Sequence, residues 1–112
     1  MTEILLVCSK NGEIVSLEAK GHAGFAEKGR DIVCAAETML IRTAIQVLEK
    51  TEGIKVNTDA ASRGSLAFSV ETEAGFNQKD RLICTADFLR EGLKSLSLEY
   101  PDHVQLRETI KH

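Results

Sequence analysis

Two periods organise the chain. A period of two runs through Ser65 to Glu71, where Leu66, Phe68 and Val70 alternate with Ala67, Ser69 and Glu71, the mark of a strand with one face buried and the other wet. The same period appears from Glu13 to Lys20, where Val15, Leu17 and Ala19 alternate with Ser16, Glu18 and Lys20. Thr2 to Cys8 precedes it across the turn dipeptide Asn11-Gly12, so a β-hairpin is expected to open the fold. Ile54 to Thr58 pairs with Ser65 to Glu71 as a second hairpin through Arg63-Gly64, and Val104 and Leu106 mark a last short strand over His103 to Arg107.

Between the strands the period changes to that of a helix. From Asn77 to Tyr100, Leu82, Ala86, Leu89, Leu93 and Leu96 form a single apolar stripe that Pro101 brings to an end. The other helix is predicted from Asp31, as N-cap, to about Glu52, with Gly53 ending it in a left-handed conformation. On this helix Thr38, Arg42, Gln46, Glu49 and Lys50 take one side, and Val33, Ala36, Leu40, Ala44, Val47 and Leu48 another. Ile32, Met39, Ile41 and Ile45 widen the apolar surface beyond one stripe, so a second copy of the chain is a candidate to cover part of it. The order ββαββαβ predicts an α+β, two-layer fold, two long helices on a small mixed or antiparallel sheet. At 112 residues the chain is expected to form one domain, 1–112.

Composition narrows the function. With 43% hydrophobic and 28% charged residues the chain is that of a folded, water-soluble protein. A net charge of −3 and 4% aromatics argue against direct nucleic-acid binding, which needs a basic groove and stacking rings. No apolar run approaches the roughly 20 residues of a membrane span, and the start resembles no signal peptide, so a cytoplasmic location and no membrane partner are expected. The three cysteines, Cys8, Cys34 and Cys84, form no disulfide framework and no zinc spacing, and neither metal nor cofactor is expected. Cys8 and Cys84 are expected to be buried packing residues. The acidic residues Glu18, Glu27, Glu37 and Asp31 read as solvated surface that would also suit a basic substrate.

One segment carries chemistry. Gly21-His22-Ala23 ends the second strand and leads through a loop with Gly24 to Gly29-Arg30-Asp31-Ile32-Val33-Cys34-Ala35-Ala36. With Asp31 as N-cap, Cys34 falls in the first helical turn, where unpaired N–H groups and the positive end of the helix favour a thiolate. His22, twelve positions earlier, is within reach if the loop folds back, and imidazole beside thiol is a minimal pair for acyl transfer. The N–H groups of Cys34 and neighbours such as Ala35 are placed to hold an oxyanion. Asp31 either accepts a hydrogen bond from that turn or orients His22; the sequence leaves both open. Against this stands the ordinary fate of a helical cysteine, inert burial, and spacing alone does not decide between them.

GHA followed by GRDIVCAA resembles the motif of the bacterial ribosomal-processing cysteine protease family, Prp, and the length and element order resemble it too. The resemblance implies that Cys34 is the nucleophile and His22 its partner in a dyad, with Asp31, Gly21 and Gly29 on the family's supporting positions. Where the family commonly has Ser four positions after the cysteine, this chain has Thr38, which keeps the hydroxyl and adds a methyl. The implied activity is a cysteine endopeptidase that removes an N-terminal extension from a large-subunit ribosomal protein, working as a homodimer through helix surfaces. The loop from Gly24 to Gly29 is expected to close over bound peptide. A ribosome-associated binding module in which Cys34 and His22 are relics is the alternative, and a redox sensor a more remote one, since no resolving thiol adjoins Cys34.

Overall fold

The structure is a computed structural model that describes residues 1–21, 32–60 and 64–111. Its elements are β1 (Thr2–Ser9), β2 (Ile14–Lys20), α1 (Ile32–Glu49), β3 (Ile54–Asp59), β4 (Ser65–Thr72), α2 (Lys79–Glu99) and β5 (Val104–Lys111). The fold is α+β as expected, with five strands in the order β3-β4-β2-β1-β5. Three strand pairs are antiparallel, and β5 lies parallel to β1, so the sheet is mixed.

Register explains the core. Ile4 sits opposite Ala19, Leu6 opposite Leu17, and Leu17 opposite Phe68, which puts one continuous apolar patch across three strands. Val33, Ile41, Ala44, Ile45 and Leu48 of α1 and Leu82, Ala86, Leu89 and Leu93 of α2 close over that patch. Full burial of one such leucine is worth about 2 kcal/mol. The opposite sheet face carries Glu3, Glu18, Lys20 and Arg107, with Lys20 paired to Glu18 at 2.6 Å.

The alternation expected in β2 shifts at its start. Val7 pairs with Ser16 but Cys8 pairs with Ile14, so a bulge leaves Val15 as the extra residue and turns Ile14 inward in its place. β5 runs beyond its expected end at Arg107 because all eight of its residues align with β1, from Thr2 opposite Val104 to Ser9 opposite Lys111. A polar tail such as Glu108-Thr109-Ile110-Lys111 becomes a strand through backbone pairing rather than propensity. Arg90 of α2 holds this end together: its guanidinium bonds Asp87 at 2.8 Å and also the Glu108 carboxylate, and its Nη2 lies 3.7 Å from Cys8 Sγ.

α1 ends at Glu49 rather than near Glu52. Thr51 donates its hydroxyl to the Val47 carbonyl at 2.7 Å and its N–H to the Leu48 carbonyl at 3.1 Å, which closes the helix early. Gly53, with φ +83°, then belongs to the turn into β3 rather than to a helix cap. A Cβ at this position would overlap the Phe76 ring, and the backbone conformation itself disfavours any L side chain. Gly53→Ala is expected to cost roughly 2–3 kcal/mol, a fall of about 10 °C in Tm by calorimetry. Because Gly53 lies at the start of β3, away from the end where Cys34 sits, the turnover of the folded fraction should be unchanged.

Candidate active site

The sheet places four chain segments at one end: the start of β1, the end of β2, the end of β3 and the start of β4. Together with the first turns of α1 they enclose a cleft of about 330 Å³ lined by Thr2, Gly21, Cys34, Glu37, Thr38 and Arg42, among others. The backbone ties this end closed, with the Gly21 N–H donating to the Gly64 carbonyl at 2.7 Å. Lys20, just before Gly21, pairs with both Glu3 of β1 and Ser65 of β4, so the strand leading into His22 is held on both sides.

Of the residues singled out from the sequence, the structure brings Cys34, Thr38 and Gly21 to this one cleft. Cys34 is the third residue of α1 and half-buried, with its side packed against the core. Thr38, one turn on, is half-buried too. Ala35 points away and is exposed, which leaves its backbone rather than its methyl as the part of interest. His22, Gly29 and Asp31, together with the loop from Gly24, lie outside the described residues.

Gly21 has φ +97°, and a Cβ there would stand 2.5 Å from the carbonyl oxygen of Met1. That neighbour is backbone of the residue leading into β1, and the next residue, Thr2, is tied by its N–H to the His103 carbonyl at 2.9 Å. Glycine is therefore required at the residue that precedes His22.

Two expectations about side chains are corrected. Glu37 is only 5% exposed, so it belongs to the cleft rather than to the solvated surface. Its position follows from helical period, four residues after Val33 and four before Ile41, both buried. Cys84 is exposed rather than packed in the core, because the α2 stripe through Leu82, Ala86 and Leu89 leaves it on the flank facing the groove between the helices. Cys8 is buried as expected, and burial pushes its thiol above the ordinary range despite the opposing pull of the Arg90 guanidinium. Thr2 and Arg42 were not singled out by sequence, although Thr2 lies in phase with Ile4 and Leu6 on the buried face of β1.

Residues 1–105 match the protein family described as cysteine protease Prp. The chain belongs to the Prp family of cysteine proteases. The Prp of Mycoplasma pneumoniae is 35% identical over 95 residues, covering 85% of this chain and 88% of that protein, and is named a ribosomal processing cysteine protease. The Bacillus subtilis Prp of the same name is 28% identical over 102 residues, covering 87% of this chain and 88% of its own. Among solved structures, the essential ribosomal processing protease Prp from S. aureus, in complex with a covalently linked product peptide, superposes with a TM-score of 0.80 at 18% identity, covering 97% of this chain and 100% of that one. SMU.848 from Streptococcus mutans gives 0.76 at 24% identity, covering 99% of this chain and 96% of that one. These two share the fold described above. Membership of Prp makes this chain a cysteine protease.

Proposed function

We propose that this chain is an endopeptidase that removes an N-terminal extension from a large-subunit ribosomal protein, with Cys34 as nucleophile and His22 as its partner in a dyad. The observation that carries the reading is the place of Cys34, in the first turn of α1 and on the wall of a cleft closed on the other side by strands. Cys84 is exposed but stands in the groove between the helices, and Cys8 is buried beside Arg90 at the far end of the sheet. Neither of those thiols has a helix start beside it.

In the proposed reaction His22 takes the Cys34 proton, and the thiolate attacks the scissile carbonyl carbon. Backbone N–H groups of the first turn, those of Cys34 and Ala35 among them, hold the oxyanion where charge develops. His22 then gives its proton to the leaving amine, a thioester forms on Cys34, and water releases the new carboxylate. Thr38, one turn along, lines the same wall, while Asp31 and Gly29 are assigned supporting roles. The relatives named as ribosomal processing proteases support the choice of substrate, and a Prp structure holding a substrate peptide supports an extended ligand.

The whole chain, residues 1–112, is proposed to act as one domain, in the cytoplasm, without a metal or cofactor. Among the described residues no helix is long and apolar enough to cross a membrane. A homodimer through the helix layer is part of the proposal. Its support is the exposure of Met39, Val47 and Phe88, the last two lining a groove between α1 and α2, since exposed apolar surface of this kind gains by being covered.

The test is incubation of the purified protein with a large-subunit ribosomal protein carrying an N-terminal extension, read by intact mass. A single new mass, shortened at one peptide bond and absent with Cys34→Ser, is the expected outcome. An uncut substrate, or cutting that survives Cys34→Ser, would reject the reading.

A further inference from the structure

Thr2 is 1% exposed, yet its Oγ1 has no hydrogen-bond partner among the described residues. Buried hydroxyls are nearly always paired, and one left alone costs about 1–3 kcal/mol. The Thr2 backbone N–H is already engaged, donating to the His103 carbonyl at 2.9 Å, so the side chain is the part left over. As the first residue of β1, in phase with Ile4 and Leu6, it faces the layer that α1 covers. That is the side on which the cleft holds Cys34 and Glu37.

Glu37 follows Cys34 by three positions, one turn along the same side of the helix. A carboxylate has about four lone-pair directions, so a group already bonded to it leaves room for another donor. The cleft floor therefore joins a hydroxyl in want of a partner to a buried carboxylate. An apolar side chain pressed onto this floor would offer the already buried hydroxyl no partner.

We infer that the cleft floor is a subsite for one substrate side chain that ends in a hydrogen-bond donor, with Thr2 and Glu37 as its specificity-determining residues. This rests on the peptidase reading above. The incoming N–H or O–H donates to the Glu37 carboxylate, and the Thr2 hydroxyl pairs with the same end group. Selection of this kind is steep, because a substrate without the donor leaves the buried Thr2 hydroxyl without a partner. Arg42 also lines the cleft but is exposed to water, where a contact with peptide discriminates weakly.

The experiment uses peptides spanning the junction of an extended ribosomal protein, made as Gln and Met pairs at each position flanking the scissile bond. The two side chains are alike in length and differ in the carboxamide. Binding is measured by calorimetry to the full chain carrying Cys34→Ser, so that affinity is read without turnover. At one position the Gln peptide should bind about tenfold or more tighter than its Met partner. Adding Thr2→Val should bring that ratio toward one and raise Tm, because a buried hydroxyl without a partner becomes a methyl of the same shape. Glu37→Met should lower the ratio as well. Equal binding within every pair, or a ratio untouched by both substitutions, overturns the inference. Cleavage of the ribosomal protein without any such pair difference sinks the subsite alone, whereas absence of any Cys34-dependent cleavage sinks the peptidase reading.

Discussion

Replacing Cys34 by alanine should lower the rate of substrate cleavage by about 10³-fold or more while leaving peptide affinity within a few-fold. In the proposed mechanism Cys34 supplies the bond made in the reaction, and neither the helix N–H groups nor His22 can substitute for it. Half-buried, the sulfur contributes modest packing, and its loss should cost about 1 kcal/mol, or about 4 °C in Tm. Initial rates, Tm and fluorescence anisotropy with a labelled peptide on the same preparation check all three. A variant that unfolds, or one that still cuts, would show that Cys34 is a packing residue.

Gly21→Ala is expected to have the second-largest effect, and by a different route. Its φ of +97° disfavours an L residue, and the added methyl would press on the Met1 carbonyl oxygen at 2.5 Å. The backbone has to shift at the residue joined to His22, at a point where β2 is held between β1 and β4. Misplacement of a catalytic group by about 1 Å costs about 10²-fold, so kcat/KM should fall by about that factor. The strain should also cost about 1–3 kcal/mol of stability. Gly53→Ala is the comparison, since it strains a left-handed glycine of similar φ at the other end of β3. If the two variants lose stability alike but only Gly21→Ala loses turnover per folded molecule, position rather than stability is responsible. Equal turnover in both would remove Gly21 from the site.

Much of this architecture was legible in the residues because each strand or helix carries one clean period. Leu82, Ala86, Leu89 and Leu93 define the buried side of α2, and the structure buries all four. The failures came where a neighbour overrode the local pattern. A single extra residue, Val15, turns the start of β2 over, and nothing in the alternation of Val15, Leu17 and Ala19 announces it. The second half of β5 is polar and becomes a strand only through its parallel partner. On α1, the apolar residues Ile32, Met39 and Val47 are exposed while Glu37 is buried, so hydrophobicity alone misplaced the inner face. The period through Val33, Glu37, Ile41, Ala44 and Leu48 would have found it.

The candidate site was legible in a different way. Cys34 near a helix start was readable from Asp31 and the apolar run that follows, whereas the proposed pairing with His22, which lies outside the described residues, rests on the resemblance to Prp rather than on spacing. The strand side of the cleft, Thr2 with Ser65 and Leu66, is assembled by sheet order, which places the end of β2 between the start of β1 and the start of β4. No local pattern in the chain encodes that neighbourhood, since β3 and β4 follow α1 in sequence yet return beside β2.

The most direct test of the central claim is the rate at which each thiol reacts with iodoacetamide in the native protein at neutral pH, mapped by peptide mass spectrometry. The account predicts that Cys34 is alkylated first and that activity falls in step with it. Cys84, exposed but the sixth residue of α2 rather than part of a first turn, should follow, and Cys8, buried and with its thiol pushed up, should react last. Alkylation of Cys84 ahead of Cys34, or loss of activity while Cys34 remains unmodified, would contradict it.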